Sequence, residues 1–248
     1  MTGDCTNKPG NQPGRETGDG VTTSDSGALG IARGGYAEED LRLLTVALAA
    51  DALDALGHRS QVLTSAVAPI QPGFRLVGWA RTVEVVPTDV MPIEPYAGEM
   101  AAIAALRPGD ISVYHVHERV NAALFGELFS LAAAAQGAVG AILDGAIRDV
   151  RQLRELDFPV FAVGISPYDT KGRAEVIAHD VPVECGGVRV ESGDLIVGDD
   201  DGVIVVPVGL VGAILAEVVE KVRGEHGAKE DLLSGLSVHE VWEKWRVF

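Results

Sequence analysis

Two short segments carry residues whose types and order could do chemistry: Gly126-Glu127, and Asp144-Gly145-Ala146-Ile147-Arg148-Asp149. Glu127 falls in the first turn of a predicted helix, directly after Gly126. A helix N-terminus offers unpaired N–H groups and the positive end of the helix dipole, so it holds a carboxylate or phosphate without a basic side chain. A glycine at that point lets a ligand approach the backbone closely. Arg148-Asp149 follows a buried strand, where the chain turns into the next helix and where ligands gather in open α/β sheets. A guanidinium there supplies forked donors for a carboxylate or an enolate oxygen, and the adjacent aspartate could hold a hard cation. Each segment also has a plainer use: Glu127 as a favourable first-turn acid, and Asp149 as an N-cap with Arg148 in a surface ion pair. Parallel strands would bring both corners to one sheet edge, and a carboxylate, an arginine and a metal-capable aspartate together suit enolate chemistry.

Other candidates carry less. His115 and His117 alternate on a predicted strand and share a face, but no third ligand of suitable geometry is evident, which favours a structural or pocket-lining role over zinc. Lys171, in Asp169-Thr170-Lys171-Gly172, could be imagined as a Schiff-base lysine. Its polar, glycine-flanked setting predicts an exposed loop, where an amine keeps its ordinary high pKa. Asp199-Asp200-Asp201-Gly202 lacks the alternating ligands and closing glutamate of a calcium loop and reads as a hairpin turn. The stretch GALGIARGG follows no strand, so it is no dinucleotide fingerprint. Cys5 and Cys185 form neither a disulfide framework nor a CxxC metal site.

The elements that must position these residues alternate. Residues 1 to about 35 are rich in Gly, Thr, Asp, Asn and Pro and read as a disordered tail. From residue 36 to the end, one domain is expected. EEDLRLLTVALAADALDAL has helical spacing and ends at Gly57, a natural C′ residue. Leu76–Val86 reads as a strand, YAGEMAAIAAL as a short helix, and ISVYHV as a strand after the Arg107-Pro108-Gly109 turn. FGELFSLAAAAQ reads as a helix, VGAILD as a buried strand, DVRQLRELD as a helix and PVFAVG as a strand, the alternation of an α/β fold. Beyond these, VRV, LIVG and VIVVP are short strands between tight turns. VGAILAEVVEKVRGEHGAKEDLLSG and VHEVWEKW close the chain as helices.

Composition narrows the function. The 248 residues hold 36 acidic and 20 basic side chains, a formal net charge of −16. That sign repels nucleic acid and anionic membranes as partners. A small anionic substrate then needs local help from an arginine, a helix N-terminus or a cation. No apolar run approaches the ~20 residues that span a bilayer, and the polar start predicts no signal peptide. A cytoplasmic protein is expected.

The run GELFSLAAAAQGAVGAILDGAIRDVRQLRELDFPVFA, with GGVRVESGDLIVGDDDGVIVVP and the earlier DALDALG and FRLVGWARTVEV, resembles the regulator-of-RNase-E-activity-A-like family. The resemblance covers about residues 38 to 240. It points to the class II branch that cleaves 4-hydroxy-4-methyl-2-oxoglutarate and 4-carboxy-4-hydroxy-2-oxoadipate. It implies an α/β fold, a three-layer ββα sandwich like the swivelling phosphohistidine domain, assembled as a ring-shaped homotrimer or hexamer. By the same resemblance, the backbone of Gly126, Glu127, Leu128 and Phe129 holds the substrate carboxylate. Arg148 is the family's arginine and Asp149 its protein ligand for Mg²⁺ or Mn²⁺. Glu127, 22 positions before Asp149, is its acid. A further glutamate, acting on the metal through water, is implied as Glu225 of the partner subunit, with Glu230 as the fallback. The implied activity is retro-aldol release of pyruvate from a small anionic oxo-acid, with oxaloacetate decarboxylation on the side. Another lyase or hydratase, or a non-catalytic regulator of a ribonuclease, are the alternatives. RNase-regulating members resemble this chain without the aspartate after the arginine, and this chain keeps it.

Overall fold

The computed structural model describes residues 33–247. The expected tail therefore lies, up to residue 32, outside the described residues, as do Cys5 and most of GALGIARGG.

The described residues open with α1 (Glu38–Leu41) and α2 (Val46–Ala55). One continuous helix was expected here. The break comes at Thr45, whose hydroxyl accepts from Leu48 N at 3.2 Å and starts α2 as an N-cap. The far end behaves as anticipated. Gly57 takes φ +85, with His58 N donating to Leu53 O (2.8 Å) and Gly57 N to Asp54 O (3.0 Å), a Schellman close.

Eleven strands follow, with helices between them: β1 (Ala68–Pro69), β2 (Leu76–Pro87), α3 (Ala97–Ala104), β3 (Asp110–Val116), β4 (Ala123–Phe125), α4 (Glu127–Ala135) and β5 (Gly140–Ile147). Then come α5 (Val150–Glu155), β6 (Val160–Ile165), β7 (Ala174–His179), β8 (Val183–Cys185), β9 (Val188–Val190), β10 (Leu195–Asp199), β11 (Gly202–Val206), α6 (Val211–Leu233) and α7 (Val238–Trp245). The strands β1, β4, β7 and β8 were not anticipated from sequence. They are short, or, in β7, interrupted by polar residues, so their period is weak.

Nine strands form one sheet in the order β1-β6-β5-β3-β2-β10-β11, with β4 on β5 and β7 on β2. The inner pairs β2–β3, β3–β5, β4–β5 and β5–β6 are parallel. β2 gives one edge to β3 and splits the other, pairing β10 through Leu76–Trp79 and β7 through Val83–Pro87. The stretch after α2 nearly closes the sheet on itself. Leu63 N donates to Val203 O and Val205 N to Gln61 O, both at 2.9 Å, and β1 then pairs with β6. Where the resemblance implies separate sandwich layers, the structure thus has a mixed α/β fold around one nearly closed, barrel-like sheet.

Period-2 alternation divides the core accordingly. Inside the barrel pack Leu76, Ala80, Ile111, Val113, Ile142, Phe161, Ile196, Val203 and Val205, with the β8–β9 hairpin supplying Val183, Cys185, Val188 and Val190. The intervening residues face outward to helices. Val83, Val85, Tyr114, Val116, Leu143 and Ile147 meet Ala102 and Ile103 of α3, Ala133 of α4 and Leu153 of α5. Val77, Trp79, Leu195, Val197, Ile204 and Val206 meet Leu41 of α1, Leu53 of α2, and Ile214 and Val218 of α6. Cys185 is buried and unpaired. Among the described residues no helix is long and apolar enough to cross a membrane.

Candidate active site

Because β4, β5 and β6 are parallel neighbours, their C-terminal ends open at one edge of the sheet. Backbone bonds lock the three exits together: Arg148 N donates to Phe125 O and Ser166 N to Ile147 O, both at 3.0 Å. The exits lead to Gly126 and α4, to Arg148-Asp149 and α5, and to the loop from Ser166 to Arg173. Between them lies a cavity of about 220 Å³, with Tyr96, Gly126, Leu128, Phe129, Arg148, Asp149 and Asp169 in its wall and Met100, Leu124 and Phe125 as apolar lining.

Gly126 is the N-cap of α4 in an extended conformation, φ −158 and ψ −167. Conformation does not demand glycine there; space does. A Cβ would stand 2.5 Å from Asp149 Oδ2 and 3.1 Å from Arg148 Cγ. The glycine therefore lets the β5 exit touch the start of α4. Asp149 uses that approach. It sits in the left-handed region, φ 58, and makes no side-chain cap to its own helix α5. Instead its Oδ2 accepts from Glu127 N at 3.2 Å, one of the free amides of α4. Asp149 does occupy the N-cap position of α5, as the plainer reading has it, but its carboxylate caps nothing there and reaches across to the neighbouring helix. A non-glycine residue in this region costs of order 1–3 kcal/mol and persists where surrounding structure imposes it.

Gly126 has no side chain to cap α4, so the amides of Leu128 and Phe129, two residues of the cavity wall, receive no cap from it. Arg148 lies between two carboxylates, with Nε 3.8 Å from Asp149 Oδ2 and Nη1 4.0 Å from Asp169 Oδ2. Both contacts are longer than hydrogen bonds, so the guanidinium is centred by charge while its donors stay available. Glu127 is half-buried at the first turn of α4.

Asp169 is the hub that sequence reasoning missed. Its Oδ2 accepts from the Tyr96 hydroxyl at 2.7 Å and lies 3.5 Å from Lys171 Nζ. Burial alone would raise its pKa, but the Tyr96 hydroxyl, the Lys171 amide and the charges of Arg148 and Lys171 bring it below the ordinary carboxylate value. Lys171 stands 5.4 Å from the centre of the Tyr96 ring. Its ammonium pKa is raised by contact with Tyr96 first and Asp169 second, the opposite of what a Schiff-base amine needs. The available signal was position: Asp169 follows a third consecutive parallel strand, whose exit must open at the same edge.

Several expected participants stand elsewhere. Asp144 belongs to the opening motif but points into the barrel, where Gly186 N (3.1 Å) and His115 Nδ1 (3.1 Å) contact one oxygen and Val116 N the other. It fastens the β8–β9 turn to the barrel mouth. His115 shares that role and His117 lies past the end of β3; among the described residues no cluster of three His, Cys, Asp or Glu side chains could hold a metal. The Asp199–Gly202 segment is the expected hairpin turn, with Asp199 paired to Gly202 and its carboxylate accepting from Val46 N and Asp201 N, both at 2.9 Å. Glu225 and Glu230 lie on α6, in ion pairs with Lys221 (4.0 Å) and His226 (3.4 Å). α6 packs on α1, α2 and α7, away from the elements that line the cavity.

Residues 46–205 match the family model described as RraA-like, Aldolase/RraA. The chain belongs to the RraA-like family. A relative from Halalkalibacterium halodurans, provisionally named 4-hydroxy-4-methyl-2-oxoglutarate aldolase, is 34% identical over 193 residues, 78% of this chain and 86% of the relative. Among solved structures, an unusual RraA-family member of Streptomyces coelicolor, from a family titled RNase ES inhibitors, superposes with a TM-score of 0.69 at 29% identity. It covers 78% of this chain and 97% of that one. An uncharacterised protein from Pseudomonas syringae pv. tomato reaches a TM-score of 0.73 at 27% identity, over 85% of this chain and 95% of that one. RraA-like membership thus comes with relatives named both as aldolases and as ribonuclease inhibitors.

Proposed function

We propose that this RraA-like protein is a divalent-metal-dependent lyase that cleaves 4-hydroxy-2-oxo dicarboxylic acids by retro-aldol chemistry and releases pyruvate. The observation that carries the reading is the convergence of Gly126, Leu128, Phe129, Arg148 and Asp149 on one cavity, with Glu127 in the first turn of α4 beside it and its amide held by Asp149. The donor set fits a hard cation: Asp149 is a single carboxylate on the cavity wall, and Mg²⁺ or Mn²⁺ is commonly held by one or two carboxylates with water and substrate oxygens. When bound, such a cation polarises the substrate's keto oxygen as a Lewis acid.

The chain's own residues do the rest. The amides of Leu128 and Phe129, with the positive end of α4, bind the carboxylate next to the keto group. As the C4 hydroxyl gives up its proton to water and the C3–C4 bond breaks, Arg148 donates to the oxygen that gains charge in the pyruvate enolate. Glu127, through a water, returns a proton to the enolate carbon. Decarboxylation of oxaloacetate gives the same enolate, so that activity accompanies the first. Assembly as a homotrimer or hexamer belongs to the same proposal, with Glu225 of the partner subunit acting on the metal through water.

The test is incubation with Mg²⁺ and a panel of 4-hydroxy-2-oxo acids and oxaloacetate, with pyruvate read by coupled lactate dehydrogenase. Wild-type pyruvate release by Asp149→Ala with the metal chelated would overturn the mechanism. Metal-dependent loss of substrate without pyruvate would point to another lyase or a hydratase. The Streptomyces relative supports a second reading, a regulator that binds a ribonuclease. Capture of such a partner with Arg148 and Asp149 both replaced would favour it.

A further inference from the structure

Tyr96 stands out on backbone grounds. It precedes α3 with φ 66 and ψ 13, left-handed, although its side chain is bulky and aromatic. For such a residue that conformation is an outlier that surrounding contacts must enforce. Three contacts hold it: the hydroxyl to Asp169 Oδ2 (2.7 Å), an edge-on approach to Phe129 of α4 (6.1 Å between centroids), and Lys171 over the ring (5.4 Å). Phe129 and Asp169 line the cavity, and Lys171 stands beside Asp169. Tyr96 thereby ties the α3 start to both the α4 start and the loop after β6.

Asp169 receives that hydroxyl on the same oxygen that faces Arg148 Nη1 at 4.0 Å. On the other side of the guanidinium, Asp149 Oδ2 lies 3.8 Å from Nε. A flexible arginine that is about one-third exposed, 38% by its side chain, is thus centred between two carboxylates that make no hydrogen bond to it. Removing one of them would draw the guanidinium onto the other. Asp149 would then lose its freedom and Arg148 its aim.

We propose that Tyr96 and Asp169 form a positioning pair that holds the Arg148 guanidinium off Asp149 and aimed at the substrate's developing oxyanion. The proposal rests on the aldolase reading of the same site. Asp169 is not a catalytic residue in this account, because it acts through Arg148. Tyr96 acts one step further out, by fixing which carboxylate oxygen faces the arginine and by holding the loop that carries it.

The probe is oxalate, a planar dianion that mimics the pyruvate enolate, titrated by calorimetry into the full chain with Mg²⁺ present. Asp169→Asn keeps the shape and removes the charge; Tyr96→Phe keeps the ring and removes the hydroxyl. Asp169→Asn is expected to weaken oxalate about tenfold, or ~1.4 kcal/mol, and Tyr96→Phe about threefold. In an Arg148→Ala background, Asp169→Asn should cost less than about twofold more, because residues acting through one another are not additive. A merely structural role would give the same loss in both backgrounds, and that result overturns the proposal. So does unchanged oxalate affinity in Asp169→Asn when the wild type binds and Arg148→Ala does not. Failure of the wild type itself to bind oxalate overturns the aldolase reading, and the pair's role with it.

Discussion

Gly126→Ala separates the site from the fold more sharply than any other single change. The backbone at Gly126 is extended, φ −158, a conformation alanine adopts without strain, so helix α4 should still form. The new methyl would lie 2.5 Å from Asp149 Oδ2, and ordinary contact begins at 3.4 Å, so the carboxylate must retreat by about 0.9 Å. Asp149 then loses the 3.2 Å bond from Glu127 N and drifts from its place beside Arg148. A hydrogen bond to a charged group is worth about 1.5–3 kcal/mol, which converts to roughly 10- to 100-fold in rate at ~1.4 kcal/mol per decade. Misplacing a reacting group by ~1 Å costs a similar ~100-fold. The expected result is kcat/KM for pyruvate release down about 100-fold. The loss in stability should be no more than ~1 kcal/mol, a melting shift within ~4 °C for a chain of this size. Coupled lactate dehydrogenase reads the first and thermal unfolding the second. Turnover within threefold of wild type would refute the argument that this glycine exists for the approach of Asp149. A large fall in melting temperature would refute the claim that the substitution acts on the site alone.

Four further outcomes are expected. Arg148→Ala should lower kcat/KM by about 100- to 1,000-fold, the cost of an oxyanion donor, and circular dichroism should be unchanged because the side chain is partly exposed. Chelation with EDTA should abolish pyruvate release, and added Mg²⁺ or Mn²⁺ should restore it. Gly227→Ala, whose Cβ would lie 2.3 Å from the Trp245 ring, should cost about 1–3 kcal/mol by overpacking and lower the melting temperature by several degrees. Asp180 has a depressed pKa: burial opposes it, but the Arg81 guanidinium at 2.8 Å and Ser192 outweigh that. A depressed folded pKa gives stability that is present above the ordinary carboxylate value of about 3.9 and lost as pH falls through the folded value. Wild type should therefore melt above Asp180→Asn at pH 6, and the gap should close in acid below pH ~4.

Much of this architecture was legible because it rests on local rules. The parallel strands β3, β5 and β6 and helices α4 to α7 follow from apolar periodicity, and Gly57 and the Asp200-Asp201 turn from the chemistry of caps and turns. The convergence of Gly126 with Arg148 was likewise readable, since consecutive parallel strands share an exit edge. What escaped depends on contacts far apart in sequence. The closure of the sheet is made by residues 61–69, which have no strand pattern of their own. Asp144 looked like part of the site because it stands five residues from Asp149, but strand alternation turns it into the barrel and Arg148 lies beyond the strand's end. Tyr96 and Asp169 sit 73 positions apart, and no spacing rule could pair them.

The charges around the cavity then bear on what it can take. Asp149, Asp169 and Arg148 line the cavity, with Glu127 in the first turn of α4 and Lys171 by Asp169 next to them, so the rim as a whole has a formal charge of −1 on a chain of −16. A dicarboxylic oxo-acid approaching such a rim meets repulsion that the α4 amides offset only in part, since a helix N-terminus counts for roughly half a charge. A divalent cation on Asp149 would reverse the sign of the rim to +1 and turn the same geometry into an anion trap. The acidic surface and the single exposed aspartate are consistent under that condition, and poorly matched to a dianion without it. The affinity of oxalate should therefore fall steeply when the cation is withdrawn, and should recover in Asp149→Asn only to the extent that the lost negative charge replaces the cation's effect. Equal affinity with and without metal would show that the amides and Arg148 suffice, and the argument from charge would fail.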